Sequence, residues 1–250
     1  MKVKIKSKTK INKFIYGNVL KNKTAHTFVV FLSGFSGSKD LTLFKKATQE
    51  FFKHKFDTLA VDFCVDNDDA HPKKNALKLE DISFLIYIRE LKNIIDIYSK
   101  KYSRIVFVGH SFGAIVAMLF LVKNKGYAKN TELVLWEPSL LPWNKKEMEK
   151  DFVFDNKKKL FYEKKTNIVI NKVFYKELAS KRSLDTFKVL NKRACIVAAE
   201  GSADKDAERY FLKIRNKKSS KLIIIKNTDH FFNGKKAQAE LFKKTIDYIK

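Results

Sequence analysis

Residues 104–113, RIVFVGHSFG, decide how this chain is read. Arg104–Val108 is a run of β-branched and aromatic residues, and it meets Gly109-His110-Ser111-Phe112-Gly113 with no residue between. A helical apolar stretch, Phe112–Val122, begins at once. This is G-x-S-x-G between a strand and a helix, the setting in which the motif has chemical meaning. A turn so short forces its central serine into a strained backbone, and small flanking residues relieve the crowding. The strain lifts Ser111 Oγ above the C-terminal edge of a sheet, with a helix N-terminus behind it.

The flanking sequence repeats the same alternation. Continuous apolar runs occur at Thr27–Leu32, Thr58–Phe63, Glu132–Trp136, Ala194–Ala199 and Lys221–Ile225. Runs of this kind suit strands buried on both faces of a parallel sheet. Helix-length segments at about 40–54, 80–101, 112–125, 203–217 and 235–249 lie between or after them, so the spacing predicts a doubly wound α/β fold. Residues 1–22 read as a leading antiparallel pair of edge strands, with an irregularity near Tyr16-Gly17-Asn18. The rhythm breaks once, in the fifty-odd residues between Trp136 and Ala194. That interval is rich in aromatics and shows short strand-like pieces at Lys159–Tyr162 and Asn167–Ile170, then a helical stretch from Lys172. A small cap over 140–190, inserted into a core of 1–139 and 191–250, is the expectation.

A serine nucleophile needs a base, and the base needs an acid to orient it. His230 follows the last apolar run in KNTDH, a loop at the same sheet edge as Ser111; His26, His54, His71 and His110 lack that placement. Asp204 follows the run ACIVAA in the loop EGSAD, giving the order Ser…Asp…His. Glu137, Glu200 and Asp206 compete for the role of acid. Glu137 is set aside because Pro138 follows and the chain then leaves for the insertion. For the oxyanion hole, the backbone N–H of Phe112 and one from the loop Ser33–Lys39 are needed, and Phe35 is the choice there. That loop lacks the G-x-x-x-x-G-K-[ST] spacing of a phosphate cradle.

These motifs together resemble the α/β-hydrolase fold, and within it small bacterial carboxylesterases and cinnamoyl or monoglyceride-type esterases. GHSFG is similar to their nucleophile elbow, SGFSGSK to the HGFxGS oxyanion loop with Ser33 in place of the histidine, EGSAD to the acid loop and TDHFF to the histidine loop. The resemblance implies a mostly parallel sheet with a cap after the sixth strand, and a cofactor-free, metal-free serine carboxylesterase. It also implies a small-molecule ester substrate, with Gly34, His110 and Trp143 lining its site. A thioesterase, an amidase, or a non-catalytic relative binding anionic lipid or nucleic acid through its lysines are the alternatives.

Composition narrows the field further. Of 250 residues, 45% are hydrophobic and 22 are Phe, which excludes a disordered chain. The net charge of +25 comes from 46 Lys and only six Arg, spread evenly along the chain. Arg is the better reader of phosphate and bases, so no specific nucleic-acid partner is expected. Cys64 and Cys195 show no CxxC spacing, the N-terminus has no signal-like apolar core, and the longest apolar run is too short to span a bilayer. A soluble cytoplasmic protein is the expectation.

Overall fold

The computed structural model describes residues 1–22, 24–64, 75–166, 168–215 and 217–250. His71 and the first residue of the strand-like piece Asn167–Ile170 lie outside them. The core elements are β1 (Lys2–Lys6), β2 (Phe14–Leu20), β3 (Thr27–Leu32), α1 (Thr42–Lys53), β4 (Asp57–Asp62), α2 (Phe84–Tyr98), β5 (Arg104–His110), α3 (Phe112–Lys123), the single turn α4 (Lys125–Ala128) and β6 (Thr131–Trp136). The insertion carries α5 (Lys145–Asp151), β7 (Phe152–Asp155), β8 (Leu160–Glu163), β9 (Val169–Asn171), α6 (Lys172–Ser180) and α7 (Ser183–Leu190). The chain then returns through β10 (Ala194–Ala199), α8 (Asp204–Leu212), β11 (Lys221–Ile225) and α9 (Lys235–Ile249).

Among the described residues, eight strands form one sheet in the order β1-β2-β4-β3-β5-β6-β10-β11. Only β2 runs against the rest, since it pairs antiparallel with both β1 and β4 while the other ladders are parallel. The central strands obey strict alternation. Phe28, Val30 and Leu32 of β3 face one cluster, and Val29 and Phe31 face the other. In β5, Ile105 and Phe107 oppose Val106 and Val108 in the same way. One face is covered by α2, α3 and α8, the other by α1 and α9. Both faces are dry, which is why these strands read as continuous apolar runs.

No irregularity interrupts the leading hairpin. Lys2, Val3 and Lys4 pair in register with Asn18, Gly17 and Tyr16. Gly17 answers to packing instead: a Cβ there would lie 2.9 Å from Leu59 Cδ1 and 3.1 Å from the Ala60 carbonyl.

The insertion folds as a three-stranded antiparallel sheet, β7-β8-β9, with helices around it. Its strand β7 and helices α5 and α7 had no sequence counterpart in the periodicity. Phe174, Leu178 and Phe187 are buried in the same apolar cluster as α2 and α3, so the insertion shares the core of the sheet. No helix among the described residues is long and apolar enough to cross a membrane.

Candidate active site

The elbow sits where β5 ends and α3 begins. Ser111 has φ 52° and ψ −119°, a conformation that costs a non-glycine residue about 1–3 kcal/mol and persists only where its surroundings hold it. They do so through the Ser111 N–H, which donates to the Trp136 carbonyl at 2.8 Å, and the Ser111 carbonyl, which accepts from Ala114 N at 3.1 Å. The flanking glycines are steric necessities. A Cβ on Gly109 would lie 2.5 Å from Ala114 Cα, and one on Gly113 would overlap the Leu32 carbonyl oxygen and lie 2.6 Å from that of Ser33. The backbone of α3 therefore presses against the end of β3, where the loop Ser33–Lys39 starts.

That loop turns tightly over the serine. Gly37 N–H donates to the Gly34 carbonyl at 3.0 Å, and Ser33 Oγ donates to the Gly37 carbonyl at 3.0 Å. Ser33 thus braces the loop from within. Gly34 lies so close to Ser111 that a Cβ on it would stand 3.2 Å from Ser111 Cβ. Phe35 follows, its ring edge-on to Phe112 at 5.8 Å and to Trp143 at 5.2 Å. Phe112 opens α3, so its N–H has no carbonyl one turn back within the helix and is free to face a ligand.

His230 meets a carboxylate, but not the one expected. Its Nδ1–H donates to Glu137 Oε2 at 3.0 Å. Glu137 is fully buried at the end of β6, with φ 48°, and its backbone N–H donates to the Val197 carbonyl at 2.8 Å. The left-handed turn swings the side chain toward the ends of β10 and β11 before Pro138 carries the chain away. Oε1 accepts from Ala199 N, and Oε2 also accepts from Ser202 Oγ at 2.6 Å. A buried carboxylate with this many donors is held in one orientation.

Asp204 is turned to its own loop. It accepts from Gly201 N at 3.1 Å and Lys205 N at 2.9 Å, and these backbone donors, Gly201 first, hold its carboxyl below the usual range. As the first residue of α8 it serves the helix N-terminus. The expected Asp204–His230 pair is therefore replaced by Glu137–His230, because the tight Gly201 turn keeps the aspartate beside its own backbone.

The histidine loop is built on Asp229, whose Oδ1 accepts from Phe231 N at 3.1 Å and Asn233 N at 3.0 Å. His110 supports it from below. Expected to line the substrate site, His110 is 1% exposed, and its Nε2–H donates to the His230 carbonyl at 2.8 Å. Burial pushes its pKa down from 6.5 to about 4, so it is a neutral brace. Ser111 Oγ itself hydrogen-bonds Ser139 Oγ at 2.8 Å. Neither the sequence spacing nor a motif pointed to Ser139.

Aromatic rings crowd the insertion side of the elbow. Phe174 packs against Phe35, Phe84, Tyr87 and Phe112 with centroids 5.7–6.1 Å apart, and is fully buried. Trp143, only partly covered, touches Phe35. A groove of about 800 Å³ between α1 and α9 lies on the other face of the sheet, away from Ser111.

A family model described as "Putative serine esterase (DUF676)" matches residues 21–137, which hold the Ser33–Lys39 loop, the G-x-S-x-G turn and Glu137. No curated protein matches the chain. Among solved structures, the chain is similar to Est1E from Butyrivibrio proteoclasticus with bound ferulic acid. The two are 15% identical with a TM-score of 0.77, covering 99% of this chain and 97% of that one. The α/β hydrolase GrgF from Penicillium is similar at 14% identity and TM-score 0.75, over 100% and 97% of the two chains. Mouse α/β hydrolase domain-containing protein 10 is similar at 16% and 0.71, over 100% and 98%. The sheet order, the elbow and these likenesses converge on one architecture: the chain has the α/β-hydrolase fold.

Proposed function

We propose that the protein is a serine hydrolase that cleaves carboxylic esters through an acyl-enzyme. The observation that carries this reading is the strained Ser111 at the same sheet edge as the His230–Glu137 pair. Ser111 Oγ attacks the ester carbonyl, and its proton passes to His230 Nε2. Glu137 holds the imidazole by Nδ1 and stabilises the imidazolium. The carbonyl electrons move onto oxygen, which is met by the N–H groups of Phe35 and Phe112. Collapse expels the alcohol with the proton from His230, and water repeats the sequence to release the acid.

The aromatic surround of Phe35, Phe112 and Trp143 favours esters with an apolar or aromatic acyl group. Ferulic acid, the ligand in the Est1E structure, is such an acid. The test is turnover of p-nitrophenyl esters of graded length, methyl ferulate, and matched thioester and amide, with a fluorophosphonate probe alongside. Ester cleavage and labelling at Ser111, both absent in Ser111→Ala, are expected. Labelling of Ser111→Ala, or its near-full turnover, would overturn the assignment.

A further inference from the structure

The hydroxyl of Ser111 is engaged by a second serine. Ser139 Oγ lies 2.8 Å from Ser111 Oγ, and Ser139 N–H reaches the Ser111 carbonyl at 3.4 Å. The two residues therefore touch through both side chain and backbone. Ser139 is itself fixed: the hydroxyl of the fully buried Tyr210 donates to its carbonyl at 2.8 Å. Tyr210 stands on α8 and packs edge-on against Phe187 of α7 at 5.3 Å. Ser139 is also only two residues past Glu137 and directly precedes the insertion.

We propose that Ser139 is a positioning residue for the nucleophile, an inference that rests on the serine-hydrolase reading. A serine hydroxyl rotates freely about its Cα–Cβ bond unless something holds it, and an elbow fixes the backbone but not the rotamer. Ser139 supplies the missing restraint. At rest the two hydroxyls share one hydrogen bond. During attack, the Ser111 proton moves to His230 Nε2 and the Oγ–carbon bond forms, while the Ser139 O–H turns to donate to the oxygen losing its proton. Ser139 exchanges no atom and keeps its own proton throughout. Its hydrogen bond is stronger to an oxygen with developing negative charge than to a neutral hydroxyl, so it favours the transition state over the resting state. Because Tyr210 anchors the Ser139 backbone, the restraint reaches from α8 to the nucleophile.

The experiment compares wild type, Ser139→Ala and Ser139→Thr as full chains, with folding checked by circular dichroism. Rates of fluorophosphonate labelling at Ser111, located by peptide mass spectrometry, are measured from pH 5 to 9, together with kcat and KM for p-nitrophenyl acetate. Ser139→Ala is expected to label and turn over about tenfold more slowly, as for the loss of one charge-assisted hydrogen bond, with KM nearly unchanged. The shape of the pH profile should be the same in wild type and variant. Ser139→Thr, which keeps the hydroxyl, should recover most of the rate. Wild-type rates in Ser139→Ala, or Ser139→Thr as slow as Ser139→Ala, would overturn the inference alone. Failure of wild type to label at Ser111 would overturn the hydrolase reading itself, and the inference with it.

Discussion

His230 Nδ1 and Glu137 Oε2 are 3.0 Å apart, although 93 positions separate the two residues in the chain. The carboxylate stands at the end of β6, ahead of the insertion, and the imidazole stands after β11. The chain order serine, carboxylate, histidine is kept, but the carboxylate that meets His230 follows β6 rather than β10, which precedes the Asp204 loop. Both oxygens of Glu137 are occupied by donors, Ala199 at the end of β10, Ser202 from the turn after it and His230 from the loop after β11, which leaves it no freedom to swing away.

Glu137→Gln should therefore cost far more activity than Asp204→Asn. The amide keeps the shape but cannot stabilise an imidazolium, and it offers an N–H where an acceptor is needed. A fall in kcat of roughly 10³–10⁴-fold is expected for Glu137→Gln. Asp204→Asn should stay within about threefold, since its partners are only Gly201 and Lys205. Steady-state kinetics on both folded variants decides the matter, and a larger loss for Asp204→Asn would return the acid to the α8 loop.

Sequence alone does not separate Glu137 from Asp204 as the partner of His230. EGSAD offers a glycine turn followed by an aspartate, which looks the same whether the carboxylate faces a histidine or caps a helix. At Glu137 the deciding event is a backbone φ of 48°, which no residue type there encodes. Pro138 read as an exit, whereas the side chain turns inward one residue before the chain leaves. A lone carboxylate at the end of the apolar run ELVLW was the available signal, because a buried acid must find donors. The strands were legible because two-sided burial writes itself as unbroken apolar runs. The elbow was legible because its glycines answer to hard contacts with Leu32, Ser33 and Ala114. The insertion was only partly legible: α5 is highly charged and β7 is short, so neither carries a strong period. Ser139 was invisible, since its pairing with Ser111 depends on tertiary placement alone.

Those glycine contacts give a stability test. Gly113→Ala places a methyl against the backbone carbonyls of Leu32 and Ser33, which cannot yield as a side chain could. A loss of about 3 kcal/mol or more is expected, at the upper end for overpacking. Gly126→Ala, in α4 with nothing within 4 Å of the added Cβ, should be neutral or gain up to about 1 kcal/mol. Urea unfolding of both variants measures the contrast, and equal stabilities would mean that α3 does not press on β3 as described.

Trp143 and Phe174 should separate substrate choice from folding. Trp143 is partly exposed and meets Phe35 beside the elbow, whereas Phe174 is fully buried among four other rings. Trp143→Ala is expected to shift the kcat/KM ratio of methyl ferulate to p-nitrophenyl acetate by roughly 10-fold, with little change in melting temperature. Phe174→Ala should instead destabilise the protein by about 3–5 kcal/mol, the usual cost of emptying a buried phenylalanine site. An unchanged substrate ratio in Trp143→Ala would place that ring outside the acyl site.

His110 predicts a specific acid sensitivity. In the unfolded chain its imidazole takes a proton near pH 6.5, but burial lowers this to about 4 in the folded protein. Between those values the unfolded state holds the extra proton, so lowering the pH favours unfolding. The stabilisation is whole above pH 6.5 and is lost as pH falls toward 4, amounting to about 3 kcal/mol over the full window. The Nε2–H that donates to the His230 carbonyl is present in both protonation states, so burial rather than that bond opposes the proton. His110→Gln keeps an N–H donor near that position and does not titrate. Urea unfolding of wild type and His110→Gln at pH 7.5 and pH 4.5 isolates the effect, because every other titrating group is common to both. Wild type should lose about 2–3 kcal/mol more than the variant between the two pH values. Equal losses would mean that His110 ionises in the folded state as readily as in the unfolded chain.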